Sequence, residues 1–219
     1  MLASLCSVFL NNAAFTYGGA AAQASFGVVQ KVFMLAFSIS LGIGQGYQPV
    51  LGYNYSAKRF DRVKKSYLFT LAFSTSLMIV FALVCGIFAP QVMKLFSLSD
   101  RATEIGTLTL RLQCMCMPLL PVNFMASVTY QVVGKKIYAA LLAISRQGLF
   151  YIPAILILPS VMQLVGVQSC QAVADVCAFV FAIPFTVIFF KQLATAQRQA
   201  QTQEESEKTP VAMGQVWDE

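Results

Sequence analysis

The chain has 219 residues, 58% of them hydrophobic and 11% charged, with a formal net charge of +6 and a mean hydropathy of +0.68. A water-soluble domain carries roughly 25% charged residues, so an ordinary soluble fold is excluded. The excess of bases does not indicate nucleic acid as a partner: the bases sit in short breaks beside long apolar runs, which is the charge pattern of membrane topology.

Six apolar runs, at about 1–16, 23–51, 66–89, 104–132, 138–160 and 168–190, have the length of membrane-spanning helices. Strands of a membrane barrel would alternate polar and apolar residues over about 10 positions, and these runs do not. The expected class is an all-α polytopic membrane protein of six transmembrane helices. The first run starts at Met1 without the basic lead that a signal peptide needs, and Asn11 and Asn12 interrupt it. A chain that begins inside a span is expected to be one half of something larger. Tyr17-Gly18-Gly19 has turn chemistry and makes the first break.

The second run carries Gln30 and Lys31, and Lys31, Ser38 and Gln45 are spaced by seven, so they share one helical face. That face either lines a solvated cavity or makes hydrogen bonds to neighbouring helices. Gly42, Gly44 and Gly46 form a smooth patch for close helix packing, and Pro49 removes a backbone donor and favours a bend. Tyr53–Lys65 then sets Lys58, Arg59, Arg62, Lys64 and Lys65 against Asp61. The third run is uncharged and ends in Pro90–Thr103, where Lys94 and Arg101 are balanced by Asp100 and, just beyond, Glu104. Ser99 or Asp100 is the expected cap of the next helix.

The fourth run holds Arg111, then Pro118 and Pro121, which predict a kinked middle. Asn123, Ser127 and Gln131 follow at steps of four on one face, as cavity lining or as interhelical glue. Gly134-Lys135-Lys136 breaks the chain again. The fifth run places Arg146 inside its cytoplasmic edge, from which a long side chain snorkels back to water. After an uncharged break at Val161–Val167, the sixth run sets Gln168, Gln171 and Asp175 on one face. Asp175 is the only acid in the interior of a run, since Glu104 stands at the very start of the fourth. It reads either as a proton or cation site or as a structural partner of Lys31 or Arg111, because intramembrane charge is costly.

Basic and neutral breaks alternate, which places both termini and the basic loops in the cytoplasm. The polar tail at 194–219 is expected to be disordered beyond its first turns. All six cysteines fall within or beside apolar runs and read as buried thiols. With no histidine, no metal site is expected. No glycine loop for a nucleotide and no nucleophile–base pair occurs, so neither an enzyme nor an organic cofactor is expected.

The segment "LNNAAFTYGGAAAQASFGVVQKVFMLAFSISLGIGQGYQPVLGYNYSAKRFDRVKK" resembles the seventh and eighth helices of multidrug and toxic compound extrusion (MATE) transporters, with "GIGQGYQPVLGYNYSAKR" its most specific piece. "SRQGLFYIPAILILP" resembles the eleventh helix of that family and "QAVADVCAFVFAIP" the twelfth, so the resemblance is colinear from about Met1 to Leu193. It implies two six-helix lobes with the substrate path between them, of which this chain is the second and the N-terminal lobe is missing. It also implies a plasma-membrane (bacterial inner-membrane) secondary antiporter that exports organic, often cationic, compounds in exchange for H⁺ or Na⁺. Its partners would be the bilayer, small-molecule organic substrates and the first lobe. Members often carry an acid where Gly19 stands, and many place their proton-coupling acids in the first lobe. A lipid-linked oligosaccharide flippase of the same superfamily is the alternative, expected to line its cavity with more bases. A truncated, non-transporting fragment is the other.

Overall fold

The computed structural model describes residues 2–96 and 99–208. Among these residues the structure is helical throughout, and four helices are long and apolar enough to cross a membrane. In chain order the helices are α1 (Leu2–Ser56), α2 (Phe60–Ile87), α3 (Ala89–Leu95), α4 (Asp100–Cys116), α5 (Leu120–Val132), α6 (Lys136–Ile144) and α7 (Ile152–Lys208). A 3₁₀ turn at Met117–Leu119 joins α4 to α5, and a π-helical segment at Ser145–Tyr151 joins α6 to α7.

Two expected loops are single-residue breaks. In α1 the only non-helical residue is Gly19 (φ 67°, ψ −165°), and in α7 it is Gln163 (φ 51°, ψ −129°). Gly19 takes the positive φ that glycine tolerates best. The two bends meet: a Cβ placed on Gly18 would press on a Leu164 methyl at 2.8 Å. The basic break shrinks to residues 57–59, with Lys58 at φ 55°. Gly134 (φ 84°) ends α5, the positive-φ stop common at helix C-termini.

The third break contains α3, an apolar turn of helix where the sequence suggests a loop. Of the two expected caps, Ser99 does the work: its Oγ accepts from the Ala102 N–H at 3.4 Å. The kink predicted from Pro118 and Pro121 is the 3₁₀ turn, whereas the backbone stays helical through Pro49. At the other end α7 runs on to Lys208, into the stretch read as tail, and residues 209–219 lie outside the described residues.

Three apolar clusters hold the helices together. One gathers Leu10, Ala14, Ala22 and Phe26 of α1 with Ile105, Tyr151, Ile155 and Cys170. The second joins Val29 and Val32 to Met78 of α2, Met93 of α3 and Leu110 of α4. The third is aromatic: Tyr47, Tyr67, Tyr130 and Phe189 meet edge to face or tilted, and the Tyr130 hydroxyl donates to the Phe185 carbonyl at 2.8 Å. The outer faces are apolar too, with Phe69, Leu83, Ile87, Leu156 and Val161 exposed. Exposed side chains of this kind suit contact with lipid tails, where helices gain nothing by hiding them.

Candidate functional site

The polar side chains converge where the second arm of α1 passes the π-helical segment and α7. A π-helix inserts an extra residue into the helical ladder and is found frequently at functional sites. Here it turns Arg146 inward. The Arg146 Nε donates to the Asp175 Oδ1 at 2.8 Å, and the Gln171 amide donates to the same oxygen at 3.1 Å. The Asp175 side chain is 1% exposed and that of Arg146 12%. Its other oxygen, Oδ2, makes no hydrogen bond among the described residues.

Arg146 is also clasped by aromatic rings. Its guanidinium carbon lies 4.9 Å from the centre of the Phe33 ring and 5.6 Å from that of Phe37. Phe33 and Phe37 are one helical turn apart on α1, so they stack along one face. Cation–π contacts of this kind gain strength when the charge is desolvated.

Two cavities open on either side of Arg146. The larger, about 290 Å³, is lined by Gln30, Lys31, Met34, Gln147, Tyr151 and Gln171 along with Phe33 and Phe37. The smaller, about 180 Å³, lies between α1, α5 and α6 and includes Ser40, Asn123 and Ser127. Phe37, Arg146 and Gln147 belong to both, and no acid lines either among the described residues.

The residues singled out by sequence fall into distinct places. Asp175 pairs with Arg146, not with Lys31 or Arg111, and Arg146 turns inward instead of snorkelling. Lys31 is exposed on the cavity rim, with its ammonium 5.9 Å from the Phe96 ring. Arg111 faces outward and donates to the Gly86 carbonyl at 3.4 Å, beside a separate apolar recess. Gln30 and Gln171 line the larger cavity. Ser38 and Gln45 are exposed on the same face of α1 as Lys31, as the spacing of seven predicts, and the Ser38 hydroxyl is occupied by the Met34 carbonyl.

Asn123 is buried, donating to the Ala178 carbonyl at 3.3 Å and to Ser145 Oγ at 3.5 Å. Ser127 donates to the Ala139 carbonyl. Both therefore serve as glue between helices while touching the smaller cavity. Gln131, Asn11 and Asn12 are exposed and stand outside both cavities. Of the glycine patch, only Gly44 is packed inside the chain, against the Phe124 ring. Gly42 and Gly46 are exposed, and a Cβ placed on either would meet no neighbouring element within 4 Å among the described residues.

Phe33, Phe37, Gln147 and Tyr151 were not read as site residues. The available signal was the pair of phenylalanines four apart on the turn flanking Lys31, opposite an arginine buried in an apolar run.

A bundle of long apolar helices around a polar cleft is the architecture of a polytopic membrane protein. Comparison with known proteins specifies it further. A family model described as MatE matches residues 1–157, and the chain belongs to this family of membrane transporters. It is 27% identical over 168 residues to the multidrug export protein MepA of Staphylococcus haemolyticus, covering 75% of this chain and 36% of that protein. An outward-facing multidrug resistance MATE transporter of the MOP superfamily superposes with a TM-score of 0.81 at 23% identity, over 88% of this chain and 44% of that one. A MOP superfamily transporter from Pyrococcus furiosus, described as having a binding pocket of reverse polarity, superposes with a TM-score of 0.80 at 22% identity, over 87% of this chain and 43% of that one. The chain thus spans less than half the length of these relatives.

Proposed function

We propose that this chain is the second, six-span lobe of a secondary antiporter that exports organic compounds in exchange for H⁺ or Na⁺, with both termini in the cytoplasm. The observation that carries this reading is the polar cleft built around Arg146 on an otherwise apolar bundle. Its walls are the α1 arm and the π-helical segment, and beside them runs an exposed stripe of Lys31, Ser38, Gly42, Gln45 and Gly46. A cleft of mixed aromatic and polar lining suits drug-sized ligands, and an exposed glycine strip suits close approach by another helix. We assign that neighbour to a first lobe.

The six-span count rests on the bends. Gly19 and Gln163 split the two longest helices into arms at 2–18, 20–56, 152–162 and 164–208, and α6, the π segment and the arm before Gln163 run in series. The MepA similarity supports multidrug export as the activity of the whole protein. The test is transport by the two-lobe protein in proteoliposomes, with fluorescent organic compounds inside and an imposed H⁺ or Na⁺ gradient. Efflux that follows one gradient is the expected result. Absence of gradient-driven efflux with either ion overturns the reading.

A further inference from the structure

Arg146 meets Asp175 through Nε alone. A guanidinium carries five N–H donors in a rigid fork, and its two terminal nitrogens make no hydrogen bond among the described residues. They are also not among the fully buried unpartnered atoms, so they keep accessible surface, and the side chain lines both cavities. Asp175 holds the base of the fork and leaves its tines open to the cleft. Phe33 and Phe37 flank it, and the Lys31 ammonium stands at the rim.

On the described residues of this lobe, the charges around the cleft sum to a positive value. Arg146 and Asp175 cancel, Lys31 adds one, and the remaining acids with described side chains, Asp61, Asp100 and Glu104, are exposed outside both cavities. On this lobe an added cation meets Lys31 and the guanidinium, and no acid lines either cavity among the described residues. A carboxylate or sulfonate meets a fork shaped for two parallel hydrogen bonds, between rings that accept an aromatic body.

We propose that this cleft binds amphipathic organic anions, an aromatic body carrying a carboxylate or sulfonate, with Arg146 as the anion ligand, Lys31 as the rim charge and Asp175 as the residue that positions the guanidinium. The proposal rests on the transport reading and deepens it by naming a substrate class, organic anions, where the resemblance implies organic, often cationic, compounds.

The experiment measures binding separately from transport. The two-lobe protein, held in nanodiscs of neutral phosphatidylcholine, is titrated with 2-naphthoate and with a naphthalene trimethylammonium of matched size. The expected result is tighter binding of the carboxylate by at least about tenfold, the factor that one charge-assisted hydrogen bond supplies. Arg146→Gln alone strands Asp175 and risks misfolding, so the deciding variant is Arg146→Gln with Asp175→Asn, which removes both charges and keeps the shape. Loss of the anion preference in this variant at unchanged thermal stability supports the assignment. Equal or tighter binding of the cation by the wild type, or an anion preference that survives in the double variant, overturns it. So does a preference that disappears in phosphatidylglycerol nanodiscs, because the occupant is then a lipid headgroup. Anion binding without gradient-driven efflux of any compound sinks the transport reading and leaves this one standing.

Discussion

Asp175 is 3% exposed in the middle of an apolar helix, and Arg146 reaches it from a segment 29 residues earlier. Neither ion is stable there alone, and the loss of one member of a buried pair costs about 3–5 kcal/mol because the other is left uncompensated. Arg146→Leu and Asp175→Leu are each expected to lower thermal stability in detergent by about that amount, with the double substitution recovering most of it. A double-mutant cycle measures this. Additive losses would mean that the two side chains do not act as a pair. Asn123 is a second buried polar group with a defined task, donating across to α7 at the Ala178 carbonyl. Asn123→Leu removes that bond and crowds Phe37 and Phe124 at the smaller cavity, so a milder loss of about 1–3 kcal/mol is expected in the same assay.

At the scale of the helix, the glycines of α1 separate into two functions. A side chain on Gly44 would collide with Phe124, whereas Gly42 and Gly46 look away from the rest of the chain. Gly44→Leu is therefore expected to cost about 1–3 kcal/mol of the lobe's own stability. Gly46→Leu should leave that stability unchanged and weaken only the contact with the proposed first lobe. Comparing the melting temperatures of the two variants, then their efflux, checks the distinction. Equal destabilisation by both would place Gly46 inside the lobe. That the chain forms long apolar helices was legible because apolar length is written along it, and so was a kink in the middle of the fourth run, since Pro118 and Pro121 remove ladder donors wherever the chain folds. The π-helical segment and the Arg146–Asp175 pair were not legible. The phase of a π insertion and the choice among three intramembrane bases depend on how α1 and α7 pack, and spacing along one helix carries no such information. The short α3 escaped for a related reason: its Val92 and Met93 are made helical by burial against α2 and α4, not by a run long enough to signal itself.

For the molecule as a whole, the two ends of the bundle differ in charge. The exposed bases Lys58, Arg59, Arg62, Lys64 and Lys65 gather at the end where the aromatic cluster lies, next to the turn at Gly134-Lys135-Lys136. The contacts that close this end are polar: Gln197 donates to Asp61 at 3.0 Å, and the Lys135 ammonium donates to Gln192. The opposite end has α3, Asp100 and Arg101 and the bends at Gly19 and Gln163, with little net charge. Orientation in a bilayer follows the side on which short loops concentrate their bases, so the aromatic end is expected to face the cytoplasm. Cysteines introduced as Arg59→Cys, Lys136→Cys and Arg101→Cys, in a background without the six native thiols, report on this through an impermeant maleimide applied to intact cells. Arg101→Cys should react from outside, and the other two only after the membrane is opened. Protein labelled at 59 and 136 but not at 101 would invert the bundle, and the cleft beside Lys31 would then lie nearer the cytoplasmic face.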